Sequence, residues 1–400
     1  MAVIDCEIAV IGAGPCGSFT AMTAASLGKD VVIVEEHEEV GIPDHCAGHI
    51  SMSGLERLDV VPPATVIENE ISKARLYSPS GRSITIECDM PRAYVLNRSL
   101  FDQYLIQQAK EKGARLLLGC HAQEFYRESD IVRGVETTLG RVEADVVVDA
   151  EGSHCSLLRK DGIRLPDRNT MLVGAQAIAE RVEDVEDDTV ELYLGSQYAP
   201  GFYAWIIPRK DGSGKVGLGT LRGNPRLVLD RFLQHHPIAS KKIKGNLSNH
   251  TFHPIPLYGS SRKTYQDGLL MTGDVASQVK PTTGGGVIYG MVCARHAGTI
   301  AAKAVEVNDT SKGFLSNYQR LWNAELSRDL HLGHFARRML NRLNDRAIDR
   351  IFAVGNLFGV ENCFGSINDI DSATNILSQA IRNPRGAATL LASLIVSAIP

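Results

Sequence analysis

A glycine-rich turn between two short apolar runs, close to the start of the chain, restricts the fold more than any other feature. The first run covers residues 7–11, the turn reads Gly-Ala-Gly-Pro-Cys-Gly over residues 12–17, and the second run covers residues 31–34. The segment between them, up to Gly28, is compatible with a helix. This order predicts a strand, a helix and a second, parallel strand, which is how a doubly wound α/β domain begins.

The same turn has the spacing of a dinucleotide-binding site. Gly12 lets the chain turn sharply from the strand, Gly14 lets the backbone approach a pyrophosphate, and Gly17 lets the helix pack closely against the sheet. The helix N-terminus then offers free N–H groups to the phosphates. Glu35 lies 23 residues after Gly12, where a carboxylate accepts hydrogen bonds from ribose hydroxyls and disfavours a 2′-phosphate. The motif predicts bound NAD or FAD rather than NADP, and a phosphate-free glycine-rich turn is the alternative.

A second glycine-rich segment indicates which dinucleotide is bound. A strand predicted over residues 268–272 leads into Asp274, and three glycines at residues 284–286 precede Val287 and a helix predicted to run to about Val307. The Asp274 carboxylate is placed to bind sugar-alcohol hydroxyls, and the helix start offers N–H groups to an anionic ring edge. A nicotinamide dinucleotide has no ribityl chain and needs no second site of this kind. The two signals together therefore favour FAD.

Composition narrows the class of protein. With 400 residues, 44% of them hydrophobic and 22% charged, the chain is long enough for two or three ordinary globular domains. Its formal net charge of −4 argues against a nucleic-acid partner. The eight cysteines include no CxxC pair, so we expect neither a zinc site nor a disulfide framework, but free thiols in a reducing compartment.

Targeting signals are also missing from the sequence pattern. The first predicted strand begins so close to Met1 that it leaves no room for a signal peptide, and no apolar run reaches the ~18–20 residues that a membrane-spanning helix needs. We therefore expect a cytoplasmic protein that is not integral to the membrane.

Between the two glycine-rich signals the pattern changes to short strands, predicted over residues 172–179, 189–194, 202–207 and 216–220. Strand alternation places Tyr203 and Trp205 on one face, and Phe202 and Ala204 on the other. Two large amphipathic rings on one side suit a pocket for an apolar ligand. Plain sheet core is the alternative interpretation.

The patterns together predict an α/β fold class: a Rossmann-like FAD-binding domain that is discontinuous in sequence, an α+β antiparallel-sheet substrate domain and a helical C-terminal region. The predicted boundaries are residues 1–72, 95–168 and 265–310 for the FAD-binding domain, 73–94 and 169–264 for the substrate domain, and 311–400 for the helical region.

The C-terminal region carries two features that bear on membranes. Residues 320–350 contain seven Arg against four acidic residues, which indicates either a basic face for anionic lipid headgroups or a solvated helix face. Residues 386–400 are almost wholly apolar, but as a helix they would reach only about 22 Å against ~30 Å of hydrocarbon. We expect this tail to pack on the body of the protein or to lie in the interface at the inner face of the cell membrane.

Two further motifs are more specific than the nucleotide fingerprint. Residues 43–48 match a Pro-x-x-Cys-x-Gly loop, and residues 203–208 match most of a Tyr-x-Trp-x-Phe-Pro strand. With Glu35 and Asp274, they make the sequence resemble the geranylgeranyl reductase family, within the flavoprotein fold of p-hydroxybenzoate hydroxylase, over most of the chain up to about residue 310. It looks most like the archaeal branch that saturates the isoprenoid chains of digeranylgeranylglycerophospholipids.

The resemblance implies a set of site residues. Tyr203 and Trp205 would line a lipid tunnel near the flavin. FAD would contact both glycine-rich signals, the Cys46 loop and two further positions: Gly12, Gly14, Cys16, Gly17, Glu35, Cys46, Ala47, Gly48, Arg98, Ala122, Asp274, Gly286 and Val287. From the residues alone, Arg98 at a helix start is equally well a surface side chain. Three residues depart from the family pattern: Glu151 replaces the Asp of an Asp-Gly motif, Ile207 replaces the Phe of the strand motif, and His49 replaces an apolar residue.

The implied activity is that of an FAD-dependent oxidoreductase. An isolated trisubstituted alkene accepts hydride poorly, so the reduced flavin must deliver hydride while a proton reaches the neighbouring carbon in a dry, apolar tunnel. Cys46 and His49 are the candidate catalytic residues for supplying that proton. For Cys46, a small apolar filler is the alternative. Expected partners are an isoprenoid lipid and an electron donor, which is NAD(P)H, a reduced deazaflavin coenzyme or ferredoxin.

Three other functions are compatible with the same residues. A flavin monooxygenase of this fold would hydroxylate a small aromatic compound. A flavin-dependent halogenase has a related strand motif, Trp-x-Trp-x-Ile-Pro, and would need a lysine near its substrate. A flavin-binding lipid carrier or redox partner would turn nothing over.

Overall fold

The computed structural model describes residues 3–259, 262–359 and 369–382. The chain forms two compact units, and each is assembled from three separate segments. The first unit comprises Met1–Asp44, Arg98–Met171 and Ile255–Leu330, and the second comprises His45–Asn97, Leu172–Pro254 and His331–Pro400, each as far as its residues are described.

The strands of the described residues are, in chain order, β1 (Val3–Ile11), β2 (Val31–Val34), β3 (His49–Ser51), β4 (Ile67–Ile71), β5 (Lys73–Tyr77), β6 (Ser83–Glu87), β7 (Ala93–Leu96), β8 (Arg115–Leu117), β9 (Ala122–Glu128), β10 (Ile131–Thr137), β11 (Gly140–Asp149), β12 (Met171–Val182), β13 (Thr189–Leu194), β14 (Tyr203–Pro208), β15 (Gly214–Thr220), β16 (Ile243–Pro256), β17 (Tyr265–Gln266) and β18 (Leu269–Met271).

The α-helices of the described residues are α1 (Pro15–Ser26), α2 (Met52–Glu56), α3 (Arg98–Glu111), α4 (Ser156–Lys160), α5 (Pro225–His235), α6 (Ala239–Lys242), α7 (Val287–Glu306), α8 (Lys312–Leu340), α9 (Asp345–Phe358) and α10 (Ala373–Arg382).

The first unit is built on an eight-stranded sheet. Its strand order is β17-β18-β11-β1-β2-β8, and β10 and then β9 continue antiparallel from β11. β1 pairs in parallel with both β2 and β11, and α1 packs against α7 and α3. Every side chain of β2 is buried, as is usual for a parallel strand covered on both faces. The predicted α/β start is confirmed, and β10 and β11 form an antiparallel hairpin.

The second unit is built on a seven-stranded sheet with the order β16-β12-β15-β14-β13-β5-β6. The pairs β12–β15, β15–β14, β14–β13 and β5–β6 are antiparallel, whereas β13 and β5 pair in parallel. One face of the sheet packs on α5, in a core that includes Ala175, Ala204, Leu218 and Phe232. The predicted antiparallel sheet is thus confirmed, with one parallel pair that the sequence pattern did not indicate.

A small sheet of three strands, in the order β3-β7-β4, also belongs to the second unit. β3 starts at His49, immediately after the Cys46 loop, and pairs antiparallel with β7. This sheet therefore fixes the C-terminal end of that loop.

The C-terminal part of the chain is helical as far as it is described, through α8, α9 and α10. In the described residues, no helix combines the length and the apolar character required to cross a bilayer. The apolar tail of residues 386–400 lies outside the described residues.

One detail of the predicted strand alternation is wrong. β14 begins at Tyr203, so Phe202 belongs to the preceding turn and not to the strand. Its ring stacks on the ring of Tyr203, with centroids 4.3 Å apart, and fills the place of a side chain at Gly219. Phe202 therefore does not project opposite Tyr203, although Ala204 does lie in the core on the other face, as predicted.

Candidate active site

The turn between β1 and α1 combines two crowded glycines with an open one. A Cβ atom on Gly12, whose φ is +94°, would lie 2.6 Å from the Ala150 carbonyl oxygen. A Cβ atom on Gly17 would lie 1.8 Å from the Gly12 carbonyl oxygen. Beside Gly14 there is no atom of the described residues within 4 Å of the Cβ position. Gly12 and Gly17 therefore permit close packing, whereas Gly14 leaves backbone accessible to a ligand.

Helix α1 begins in a form that suits an anion. Gly14 is its N-cap and provides no side-chain hydrogen bond, and Pro15 occupies the first helical position. The N–H groups of the first turn are therefore oriented outward, toward the open space beside Gly14. The backbone and the space both fit the pyrophosphate of a dinucleotide.

Glu35 follows β2 and its carboxylate reaches back to the turn. One oxygen accepts a hydrogen bond from the Ala13 N–H group at 2.7 Å, and the other accepts from the His37 N–H group at 3.0 Å. The His37 ring nitrogen Nδ1 is 2.6 Å from the same carboxylate. The acidic side chain is thus held at the edge of the turn, where the motif predicts the ribose.

Arg98 is paired with a carboxylate on its own helix. It is the first residue of α3, and its Nε and Nη2 atoms donate to the two carboxylate oxygens of Asp102 at 3.1 and 3.0 Å. Burial raises the pKa of Asp102 to about 6, and the Arg98 charge opposes this rise. Arg98 is therefore a fixed cation in the first unit rather than a solvated surface side chain.

The second glycine-rich segment, residues 284–286, lies at the N-terminus of α7. Gly286 is the N-cap, without a side-chain hydrogen bond, and Val287 is the first helical residue. A Cβ atom on Gly286 would lie 2.9 Å from Asp274 Oδ1, so only glycine leaves room for that carboxylate. Burial raises the pKa of Asp274 to about 6, and the nearby Arg98 charge lowers it. Asp274, Arg98 and the start of α7 therefore form one charged cluster.

Cys16 joins this cluster through packing. Its Sγ atom lies 2.7 Å from where a Cβ atom on Gly273 would be and 2.4 Å from where one on Gly290 would be. Burial, together with the Asp274 charge, raises the pKa of this thiol. Cys16 is therefore a neutral packing group that holds α1 close to α7, while its N–H group stays in the first turn of α1.

The remaining residues of interest in the first unit lie at strand ends. Ala122 is the first residue of β9. The Glu151 carboxylate accepts hydrogen bonds from the Ser156 N–H group at 2.7 Å and the Leu157 N–H group at 3.2 Å, so it caps α4. Asp149, fully buried at the end of β11, accepts from the Glu151 N–H group at 3.0 Å. Burial and the Glu151 charge raise the pKa of Asp149.

In the second unit, hydrogen bonds define the shape of the Cys46 loop. The Gly48 N–H group donates to Cys46 Sγ at 3.4 Å, and the Leu96 N–H group donates to the Gly48 carbonyl at 2.8 Å. The Gln176 side-chain amide donates to the Cys46 carbonyl at 3.4 Å. A Cβ atom on Gly48, whose φ is +70°, would lie 2.1 Å from the Leu96 carbonyl oxygen. The loop is therefore fixed from both sides, and Gly48 accepts no side chain.

A buried lysine lies beside this loop. Lys215 on β15 donates to the Leu96 carbonyl at 3.0 Å and pairs with Glu68 Oε2 at 3.0 Å. Its Nζ atom is also 3.0 Å from where a Cβ atom on Gly48 would be. Glu68 further pairs with Arg209 at 2.7 Å. The ammonium group of Lys215 therefore supports β7 and the loop.

Tyr203 and Trp205 lie on one sheet face, as predicted. Their rings meet edge to face, with centroids 6.1 Å apart. Burial raises the pKa of Tyr203 to about 12, and the nearby Arg337 charge opposes the rise. Trp205 and Ala47 pack against the same apolar cluster, which contains Val95 and Ile207. The aromatic pair and the Cys46 loop therefore belong to one surface of the second unit.

His49 is more exposed than its neighbours. It opens β3, pairs with Val95 on β7, and has an exposed side chain.

The sequence pattern did not single out Asp102, Lys215 or Gln176 as residues of these two regions. Asp102 is signalled by its spacing of four residues from Arg98 on a predicted helix. A lysine within an otherwise apolar strand signals Lys215. No local pattern indicates Gln176, because its contact with Cys46 spans 130 residues of sequence.

Comparison with known proteins agrees with this geometry. Residues 5–320 match the FAD binding domain family. Digeranylgeranylglycerophospholipid reductase 2 of Methanopyrus kandleri is 34% identical over 359 residues, which are 87% of this chain and 90% of that enzyme. The digeranylgeranylglycerophospholipid reductase of Methanocaldococcus jannaschii is 30% identical over 86% of this chain and 89% of its own length.

Solved structures give the same result. A geranylgeranyl bacteriochlorophyll reductase-like protein from Thermoplasma acidophilum has a TM-score of 0.86 and 26% identity, and the match covers 99% of this chain and 100% of that one. A flavin-dependent brominase has a TM-score of 0.67 at 18% identity, covering 94% and 97%, and shares the fold alone. The chain belongs to the FAD binding domain family and, within it, to the geranylgeranyl reductase flavoproteins.

Proposed function

We propose that this flavoprotein saturates the C=C bonds of geranylgeranyl chains, and that its substrates are archaeal membrane lipid precursors such as digeranylgeranylglycerophospholipid. The observation that carries the proposal is the surface shared by the Tyr203–Trp205 pair and the Cys46 loop, in a chain whose curated relatives bear the name of that reductase. Large rings with few polar groups suit a branched hydrocarbon chain.

The proposed roles of the two units follow the sequence prediction. Most of the residues proposed to bind FAD belong to the first unit, three more belong to the Cys46 loop of the second unit, and the lipid is proposed to bind to the second unit. The residues proposed to contact FAD are Gly12, Gly14, Cys16, Gly17, Glu35, Cys46, Ala47, Gly48, Arg98, Ala122, Asp274, Gly286 and Val287. The open space beside Gly14 and the two uncapped helix starts fit the pyrophosphate and the ring edge. When bound and reduced, FAD supplies hydride.

The chain's own residues would then orient the alkene, exclude water from it and donate a proton. Tyr203 and Trp205 hold the alkene against a rigid aromatic surface and exclude water from it. A proton has to reach one alkene carbon as hydride reaches the other. Cys46 and His49 are the proposed donors. The Gly48 N–H group donates a hydrogen bond to the Cys46 sulfur, and exposed His49 suits proton exchange with solvent.

The proposal includes an external electron donor of one of three classes, namely NAD(P)H, a reduced deazaflavin coenzyme or ferredoxin. It also includes peripheral contact with the inner face of the cell membrane. Phe335 and Leu357 expose 62% and 80% of their surface, and Arg338, Arg342 and Arg346 are exposed along the same helical stretch. We expect sedimentation with anionic vesicles, reduced by salt, and none with zwitterionic vesicles.

Mass spectrometry of geranylgeranyl lipids tests the activity. The dithionite-reduced protein, incubated anaerobically, should add two hydrogen atoms for each double bond. Replacing Cys46→Ser should lower this turnover while the visible spectrum still shows bound flavin, and Cys88→Ser, at a half-buried cysteine outside the proposed site, should not. A protein that leaves the lipids unchanged but halogenates or hydroxylates an aromatic compound in air would contradict the proposal.

A further inference from the structure

One row of residues crosses the sheet of the second unit next to the Cys46 loop. Gln176 on β12 pairs with Gly217 on β15, and Gly217 pairs with Trp205 on β14. Directly paired residues project to the same face of a sheet, so Gln176 and Trp205 flank Gly217 on one face. A Cβ atom on Gly217 would lie 2.7 Å from Trp205 Cζ2 and 2.8 Å from Trp205 Cε2. The indole ring therefore lies over Gly217, on the side of Gln176.

Both flanking side chains bury a polar atom without a hydrogen-bond partner among the described residues. These atoms are the side-chain carbonyl oxygen of Gln176 and the indole nitrogen Nε1 of Trp205. Gln176 is only 7% exposed, so bulk water does not satisfy it. An unsatisfied buried group costs about 1–3 kcal/mol. One atom is an acceptor and the other is a donor, so a single group that both donates and accepts would satisfy the two.

The other end of the Gln176 amide reaches the Cys46 loop. Its Nε2 atom donates to the Cys46 carbonyl oxygen at 3.4 Å, and the Cys46 thiol in turn accepts from the Gly48 N–H group at 3.4 Å. The two ends of an amide have nearly the same shape, so hydrogen bonds decide its orientation. A donor bound at the Gln176 oxygen would direct the N–H end toward Cys46.

We propose that Gln176 is a positioning residue for alkene reduction, and that it and Trp205 bind between them one water molecule or one hydroxyl group of the lipid. This inference rests on the proposed function. The bound group accepts a hydrogen bond from the indole and donates one to the amide oxygen. The amide is thereby locked in the orientation that holds the Cys46 carbonyl, and with it the thiol.

Indole resonances of the flavin-loaded protein test the bound group. The chain has two tryptophans, and Trp322 already donates to Thr264 Oγ1 at 3.2 Å, so ¹⁵N-indole labelling gives two peaks that Trp322→Phe assigns. We expect the Trp205 N–H peak at the downfield position of a hydrogen-bonded indole, moving upfield in Gln176→Leu. If the Trp205 peak lies at the downfield position before lipid is added, the bound group is water. If the peak moves to that position only after lipid is added, the bound group is the lipid hydroxyl. A peak that is identical in wild type and Gln176→Leu, with and without lipid, would overturn the proposal.

Kinetics and thiol chemistry test the positioning role. Gln176→Leu should lower kcat about tenfold, equivalent to about 1.4 kcal/mol, with little change in KM. The same variant should change the rate at which iodoacetamide alkylates Cys46, which is measured from the mass of the Cys46 peptide. Gln176→Glu should be active when the new carboxyl group is neutral and donates to the Cys46 carbonyl, and should lose activity as pH rises and it ionises. Gln107→Leu, on the exposed surface of α3, is the matched control.

If Gln176 has a purely structural role, Gln176→Glu should lose the same share of activity at all pH values, and Cys46 should be alkylated at the wild-type rate. This result would refute the positioning role. The proposed function fails separately, if the wild-type protein reduces no alkene, because the indole and alkylation measurements do not depend on turnover.

Discussion

Gly14 in the first unit and the glycines of β15 in the second unit serve different purposes. In the first unit, Gly14 borders open space at a helix start, which the backbone leaves for a ligand. In the second unit, the positions beside Gly217 and Gly219 are filled by the rings of Trp205 and Phe202. The proposed cofactor site is therefore shaped by backbone, whereas the proposed substrate surface is shaped by the chain's own side chains. Backbone geometry is common to a fold, while side-chain surfaces differ between its members, so the second unit is where specificity is expected.

The largest effect is expected at the crowded glycine of the first unit. In Gly17→Ala the new Cβ atom would lie 1.8 Å from the Gly12 carbonyl oxygen, and backbone on both sides prevents an easy shift. We expect a loss of about 3 kcal/mol or more in the free energy of unfolding, and no bound flavin. Thermal unfolding and the visible spectrum measure the two effects. A stable, flavin-loaded variant would show that α1 is not held against the turn as described.

A smaller loss is expected in the second unit. In Gly217→Ala the Cβ atom would lie 2.7 Å from both the Trp205 ring and the Ala175 carbonyl oxygen. We expect a destabilisation of about 1–3 kcal/mol and slower alkene reduction, with flavin binding unchanged. Because the ring is the movable neighbour, Trp205→Leu combined with Gly217→Ala should be more stable than the two separate losses predict. Strict additivity in this double-mutant cycle would contradict the packing of the ring on Gly217.

Substitution of Gly14, which borders open space, should leave the stability unchanged but weaken FAD binding. Gly14→Ala adds a methyl group to empty space at an ordinary φ of −66°, so the stability of the flavin-free protein should not fall. The methyl group would stand where the pyrophosphate approaches the backbone, and we expect FAD affinity to fall about tenfold, or about 1.4 kcal/mol. Titration of the flavin-free protein with FAD measures this. Unchanged affinity would remove the proposed contrast between the two units.

The glycine-rich turn at residues 12–17 and the sheet face around Gly217 differ in how far the local sequence predicts them. The spacing of Gly12, Gly14, Gly17 and Glu35 fixes a local βαβ geometry, and the structure has that geometry. The alternation of residues 189–194 likewise gave the bounds of β13 correctly. Both are properties of short stretches of chain, for which periodicity and turn chemistry are sufficient.

Long-range register is not a local property. The row of Gln176, Gly217 and Trp205 depends on how three strands align, and the parallel pairing of β5 with β13 joins residues more than a hundred positions apart. Packing decides such alignments, so the sequence pattern indicated the strands but not their neighbours. Phe202 was misplaced for a related reason, because strand periodicity does not reveal where a turn ends.

A pH dependence of stability is also expected from the first unit. Burial raises the pKa of Asp274 from 3.8 to about 6, so the folded state holds this proton more tightly than the unfolded state. The stabilisation from Asp274 is therefore present below about pH 4 and is lost as the pH rises through about 6. In Asp274→Asn this loss should disappear. Urea unfolding of the flavin-free wild type and variant at several pH values measures the difference, and parallel curves would contradict the assignment.

The interleaving of the two units has a consequence for how the polypeptide is made. Each unit draws on three segments, and the first unit's sheet places β18, near residue 270, beside β11, which ends at Asp149. At about 5–20 residues per second, a ribosome needs several seconds or more to travel between these strands. Until then the last residues of β11, from Val147 to Asp149, lack the strand that pairs with them on this edge. Neither unit corresponds to a continuous stretch of the gene. A nascent chain released before β18 is synthesised would therefore leave both units incomplete.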